Sequence, residues 1–383
     1  MRKGWEYKKL GEVCDITMGQ SPDGNSINET NGVEFHQGKT CFGDRFLGVS
    51  PLYSNAPTKL AEAHSVLLCV RAPVGYPNIT DRKICIGRGL CALYAKREID
   101  NTFLYYSLLG KQSYFEKNAT GSTFKAISSK TVSNTTLSIP PKSTQLAIVS
   151  ELDKINELIR LKKEQLKDFG NLAQSLFYEM FGDPVENEKG WDVKKLDNVC
   201  NITSSKRIFA DEYTNTGIPF YRSKEVIERS KGLPISVELF ISEERYNEIK
   251  EKFGVPKIGD ILITAVGTIG KIWAIDTDNK FYFKDGNLVW LKDIDNQLAN
   301  SCFFRRLLEY LIEEYKKTNA NGAAYNALTI AKLKLMSCPL PPLPLQRLFA
   351  QRIEQIEREK SEVQKSIQDL ETLLASRMQY WFE

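Results

Sequence analysis

The chain has 383 residues, 42% hydrophobic and 26% charged, with a formal net charge of +4. That length exceeds what one hydrophobic core usually organises, so two domains are expected, and the composition excludes a disordered, collagen-like or disulfide-scaffold chain. No run reaches the roughly 18 apolar residues of a membrane span, and MRKGWEYKKL at the start has no apolar signal core, so a soluble, cytoplasmic protein is expected.

In chain order, GWEYKKLGEVCDIT (residues 4–17) opens a pattern that restarts as GWDVKKLDNVCNIT (residues 190–203), with nine of fourteen positions identical. The restart continues. SVLLCVRAPVG from Ser65 matches DILITAVGTIG from Asp260, GSTFKAIS from Gly121 matches GAAYNALT from Gly322, and IPP at 139–141 matches LPP at 340–342. The offset grows from 186 through 195 to 201, so the ends of the repeat are held while its interior varies. A period of this size is a duplicated domain, since solenoid units repeat every 20–50 residues or so.

Within each copy, short apolar runs bounded by Gly, Pro, Asn or Asp predict strands: 66–70, 84–87, 260–264, 271–275 and 287–291. Amphipathic helices are predicted at the equivalent places 103–118 and 302–317. After each double proline the period changes. Ile148, Leu152, Ile155, Ile159, Lys162, Leu166, Phe169, Ala173, Leu176 and Met180 follow 4,3 spacing. Phe349, Ile353, Ile356, Lys360, Val363, Ile367, Leu370, Leu374, Arg377 and Trp381 repeat it. Such seams predict a coiled coil, with Ser143 capping the first helix, Pro344 in the first turn of the second, and Gly182 with Pro184 stopping the first. A helix over 145–181 is roughly 55 Å long, and its apolar stripe requires a partner helix. Lys162 and Lys360 interrupt the seam and are expected either to set register or to face acidic groups of a partner.

The expected fold is α/β, with mixed, β-rich globules in tandem, each followed by a long helix, the two helices pairing as an antiparallel coiled coil. The partition is 1–144 for the first globule, 145–183 for its helix, 184–345 for the second globule and 346–383 for its helix.

Catalytic patterns are missing. Only His36 and His64 occur, neither in a ligand spacing, and the eight cysteines form no CxxC pair, so buried reduced thiols and no metal are expected. Gly267, Gly270 and Lys271 resemble a phosphate loop only faintly, because Ala265 and Ile272 stand at its required positions, and a strand-end turn is expected instead. No methyl-donor or nuclease pattern appears. Residues 1–144 carry 18 Lys+Arg against 12 Asp+Glu, whereas 186–345 carry 23 against 22. The basic first region is compatible with a polyanion and equally with a solvated surface. Tandem globules on antiparallel helices present equivalent surfaces about a local two-fold axis, which matches the dyads of duplex DNA.

The ordered set GWEYKKLGEV, VRAPVG, GSTFKAIS, IPP with its Gln145 helix, and LFYEMFGDP, restated as GWDVKKL, TAVGTIG, GAAYNAL and LPPLPLQ, resembles the specificity subunits of type I restriction-modification systems over the whole chain. The resemblance implies two target-recognition domains reading a bipartite, asymmetric DNA sequence. It implies helices that act as a spacer and dock two methyltransferase subunits, and a motor-nuclease subunit in the larger complex. It implies a chain with no catalysis and no cofactor of its own, S-adenosylmethionine being bound by the methyltransferases.

On that reading, the candidate DNA contacts near loop and strand ends are Lys39, Arg45, Arg71, Arg88 and Lys125 in the first domain, and Lys206, Arg207, Arg222, Lys224, Lys271, Lys284 and Tyr325 in the second. Each has a surface-solubility reading beside it. Ser122, Thr123 and Lys125, with Tyr325 and Asn326 of the second copy, are alternatively loop-seating residues, and Ala323 and Ala324 depart from the hydroxyl pattern. The rival functional readings are a self-sufficient enzyme, a coiled-coil scaffold, and a specificity subunit of a related restriction class.

Overall fold

The computed structural model describes residues 4–121, 125–318 and 327–382. Ser122, Thr123, Ala323, Ala324, Tyr325 and Asn326 lie outside them. Two compact units form, one from residues 1–165 with 363–383 and the other from 166–362. The sequence partition separates globule from helix along the chain, whereas compaction gives each unit one globule together with stretches of both long helices.

The first unit is built on a four-stranded antiparallel sheet in the order Cys14–Met18, Leu90–Ala95, Val66–Cys69, Pro77–Ile79. The second repeats that order with Asn201–Thr203, Leu288–Lys292, Ile261–Thr264 and Ile272–Ala274. Of the apolar runs read from the sequence, 66–70, 260–264 and 287–291 become central strands, buried almost throughout, while 271–275 becomes an edge strand and 84–87 a strand of the second sheet. Each unit carries a second sheet containing one parallel pair: Val33–His36 with Ile84–Ile86, and Ile218–Tyr221 with Tyr282–Phe283. Gly267, Gly270 and Lys271 lie in the turn between Ile261–Thr264 and Ile272–Ala274, an antiparallel hairpin.

A two-stranded ribbon leads into each long helix: Glu6–Lys9 with Thr136–Ile139, and Asp192–Lys195 with Ser337–Leu340. The helices, Lys142–Phe181 and Leu343–Phe382, start three residues earlier than expected from the partition. Ser143 therefore lies inside the first turn and is not its cap, while Pro344 sits in the first turn as expected. Gly182, at φ +76°, ends the first helix, its amide donating to the Tyr178 carbonyl at 2.8 Å. The helix predicted over 103–118 is two helices, Asn101–Leu109 and Gln112–Lys117. The break falls at Gly110, where a Cβ would stand 2.7 Å from Cβ of Phe382.

Within each unit the helix stretches run antiparallel. In the first, Ile148, Leu152, Ile155 and Ile159 are buried, Glu151 takes the Arg377 guanidinium, and Lys163 pairs with Glu371 at 2.8 Å. Trp381 Nε1 donates to Glu151 at 3.2 Å, and the Phe382 ring lies 5.5 Å from that of Phe103. In the second, Leu176, Ile353 and Ile356 are buried, and Phe177 and Phe181 pack on Phe349 and Phe303 at 4.8–5.9 Å between centroids. Val363 and Ile367 are buried, while Leu166, Phe169, Leu370 and Leu374 are half-buried. Of the polar seam positions, Arg377 crosses to Glu151 of the other helix, whereas Lys360 meets Glu357 at 2.8 Å and Lys162 donates to Gln165 at 3.4 Å within their own helices. No described helix is long and apolar enough to cross a membrane.

Candidate nucleic-acid interface

Strand polarity brings the repeat's motifs to one end of each sheet. In the first unit that end is the start of Leu90–Ala95, and the turn before it, Gly87 to Gly89, is held from three sides. Gly87 donates to the His36 carbonyl at 2.8 Å, Gly89 to Gln37 at 3.1 Å, and Val70 to Gly89 at 2.9 Å. The carbonyl of Val70 in turn accepts from Ile127, and that of Lys125 accepts from Ala72. The VRAPVG and GSTFKAIS segments thus meet there as an antiparallel bridge, Arg71 opposite Ala126, 55 residues later in the chain. The second unit repeats the construction. Lys284 donates to Tyr221 at 2.9 Å, Ala265 to Asn287 at 2.8 Å, and Leu328 to Ala265 at 3.1 Å.

In the first unit, Arg71, Arg88, Lys125 and Lys39 all emerge at this end and are exposed. The Lys39 ammonium lies 3.7 Å from the centre of the Tyr76 ring. None of the four has an ion-pair partner among the described residues. Arg45 departs from the phosphate-contact expectation: its guanidinium donates to the Tyr106 hydroxyl at 2.6 Å and pairs with Asp153 of the long helix, tying the loop to the helix. Asp153 also accepts from Tyr106, at 2.6 Å.

In the second unit three of the basic candidates are covered by acids. Arg222 pairs with Glu225 and Glu238, Lys224 with Glu238, and Arg207 with Asp285, all at 2.6–3.0 Å. These pairs hold the Arg222 guanidinium and the Lys224 ammonium above their ordinary pKa values and bring Glu238 down to about 2. Lys206 is exposed, its ammonium 5.3 Å from the Phe253 ring centre and its amide donating to the Tyr282 hydroxyl at 2.7 Å. Lys271 and Lys284 are half-exposed at the hairpin turn and at the strand end, with no ion pair among the described residues.

Two glutamines whose role the sequence pattern did not disclose join each globule to its helix. Gln145 is fully buried; its Oε1 accepts from the Asp100 amide at 2.8 Å, and its Nε2 donates to the carbonyls of Glu98 and Pro140, both at 2.9 Å. Gln346 does the same with Asn300, Leu298 and Pro341, at 2.8, 3.0 and 2.7 Å. Asp100 and Asn300 then cap the next helices, accepting from Thr102 and Phe103, and from Cys302 and Phe303. The signal was available: PPKSTQ and PPLPLQ share only the prolines and the glutamine.

Residues 2–168 and 188–372 each match the family described as type I restriction modification DNA specificity domain. The chain belongs to the type I restriction-modification specificity family. This specificity subunit is 39% identical over 165 residues to the putative type I restriction enzyme MjaX specificity subunit of Methanocaldococcus jannaschii, covering 42% of this chain and 39% of that protein. It is 25% identical to the MjaIX specificity subunit of the same organism, over 97% of this chain and 91% of that one. A Haemophilus influenzae relative, the putative specificity subunit S.HindORF215P, is 26% identical over 92% of this chain and 87% of its own. Among solved structures, a chain from work on complex assembly and conformational transition of the type I R-M system matches at TM-score 0.70 and 21% identity, covering 100% and 98% of the two chains. The S subunit from M. genitalium matches at 0.54 and 18%, covering 99% and 96%. The specificity subunit thus has two tandem recognition domains in a mixed α/β fold with long helices.

Proposed function

We propose that this specificity subunit reads a bipartite, asymmetric DNA target, one half per recognition domain, and catalyses nothing itself. The observation that carries the reading is the convergence, at one end of each sheet, of the repeat's motif loops with a set of basic side chains, unpaired in the first unit. Cations at strand ends suit the regularly spaced phosphates of a duplex, and divergent loops on a repeated frame suit two different half-sites. The long helices set the separation of the half-sites and dock two methyltransferase subunits, which bind S-adenosylmethionine; a motor-nuclease subunit joins the same assembly.

Docking on the helices is supported by a groove of about 750 Å³ along the first helix, lined by Leu146, Val149, Ser150, Asp153 and Leu158. Leu146 and Leu158 are about half exposed there. Leu158→Asp is expected to abolish co-purification of the methyltransferase with little loss of stability, since the side chain is not part of the core. The test of function is co-expression with a methyltransferase subunit shown to assemble with it, followed by single-molecule mapping of N6-methyladenine. A two-part motif with a fixed gap is expected. No methylation from an intact complex would reject the reading.

A further inference from the structure

The two sheet ends share a backbone and differ in electrostatics. Counting from the parallel pairs, in which Cys85 lies opposite Phe35 and Tyr282 opposite Phe220, Arg88 of the first unit occupies the place of Asp285 in the second. Around Asp285 stand Arg207 at 2.7 Å and, one strand over, Arg222 with Glu225 and Glu238.

A phosphate seat needs uncompensated positive charge, and the first end provides it in Arg71, Arg88 and Lys125. Beside Arg207 and Arg222 of the second end, a phosphate would meet Glu238 and Asp285 as well, both of its own sign. A base edge is neutral and offers donors and acceptors side by side: guanine O6 and N7 accept from a guanidinium, and cytosine N4 donates to a carboxylate. Alternating guanidinium and carboxylate groups match that pattern. Arg222 is also held in place before DNA arrives. Glu225 is 1% exposed, accepts from the Arg222 amide at 2.7 Å and from its guanidinium at 3.0 Å, and so fixes the orientation of the fork. Arg222 Nε and the hydroxyls of Ser204, Ser205 and Ser223, on the loops leaving the same strand ends, are buried without a hydrogen-bond partner, so polar capacity remains there.

Resting on the DNA reading above, in which each domain reads its own half-site, we infer that Arg222 is the principal base-reading residue at the second sheet end, whereas Arg71, Arg88 and Lys125 at the first sheet end seat phosphates. The test uses the complete subunit assembled with its methyltransferases, measuring affinity for the target duplex and for single-base variants across a range of salt. Replacing Arg71, Arg88 and Lys125 together by Gln should reduce the salt slope by about 2.7, at roughly 0.9 for each phosphate no longer neutralised, and weaken all duplexes alike. Arg222→Lys keeps the charge and loses the fork. It should leave the salt slope unchanged while discrimination at one position of the second half-site falls roughly tenfold to a hundredfold.

Arg222→Gln, read in parallel, should relax the same position. If instead it lowers the slope by about 0.9 with the motif intact, Arg222 neutralises a phosphate and its assignment to base reading is overturned. If the unsubstituted assembly neither prefers a sequence nor methylates one, the DNA reading fails, and this inference with it.

Discussion

Gln145 and Gln346 carry a disproportionate share of each globule's connection to its helix, because each, itself fully buried, satisfies one amide and two carbonyls. Replacing Gln145 by Leu fills the volume and leaves the Asp100 amide and two carbonyls unsatisfied, at a cost of about 3 kcal/mol. The expected result is a melting temperature lower by roughly 10 °C, measured calorimetrically, with a similar drop for Gln346→Leu. A second residue-scale test is pH. Burial alone would raise the pKa of Glu34, but the Arg82 guanidinium, the Ser50 amide and the His36 imidazole outweigh it and hold it at about 2. A depressed carboxyl contributes stability that is complete above its unfolded pKa of about 4.5 and is lost as pH falls towards 2. His36 acts in the same direction from higher pH, since burial pushes its pKa below 6.5 and acid then favours the unfolded, protonated form. Melting temperature should therefore decline below pH 6.5 and again below 4.5, and Arg82→Met should lower the neutral plateau and flatten the second decline. Thiols follow burial too. Cys14, Cys69, Cys91, Cys200 and Cys338 are pushed up to about 12, so iodoacetamide at mildly alkaline pH should leave all five unlabelled until the protein is unfolded, as peptide mass spectrometry would read.

At the scale of elements, what the sequence disclosed and what it hid have distinct physical causes. The central strands were legible because a strand buried on both faces must be apolar throughout, and the runs at 66–70 and 260–264 have no other use. The long helices were legible from the 4,3 spacing, down to their stop at Gly182. The need for a glycine at Gly110 was hidden because the residue that crowds it, Phe382, is remote in sequence. The roles of Arg45, Arg207 and Arg222 were hidden for a similar reason: an arginine on a loop reads alike whether or not a carboxylate from another segment faces it. Gly75 and Gly270 show both sides of this. Each has positive φ, and Gly270 was recognisable as a turn residue, but their closeness to a helix later in the chain is a tertiary fact. A Cβ on Gly270 would lie 2.5 Å from Ile312. Gly270→Ala should cost about 2 kcal/mol, from left-handed strain and that clash together, and a chemical denaturation midpoint would record it.

At the scale of the whole molecule, repetition with divergence predicts modular specificity. Exchanging residues 1–144 for those of a relative should change one half of the methylated motif and leave the other intact, as methylome sequencing would show. A change in both halves would reject modularity. The joint permits such exchange because the glutamines bind only main-chain groups of their globule, so a new domain with the same chain path meets the same helix.

The composition of the first unit also fixes an order of events. Its core is finished by Trp381 and Phe382, whereas the second unit is contiguous from residue 166 to 362. On a ribosome adding about 5–20 residues per second, the first domain waits roughly 10–40 s after residue 165 for the segment that completes it, while the second closes in the meantime. The half of the molecule made first is the half completed last. In that interval the apolar face reserved for Phe382 is open to any other nascent copy of the same chain, so synthesis from closely spaced ribosomes is where this protein would exchange its C-terminal helices between molecules.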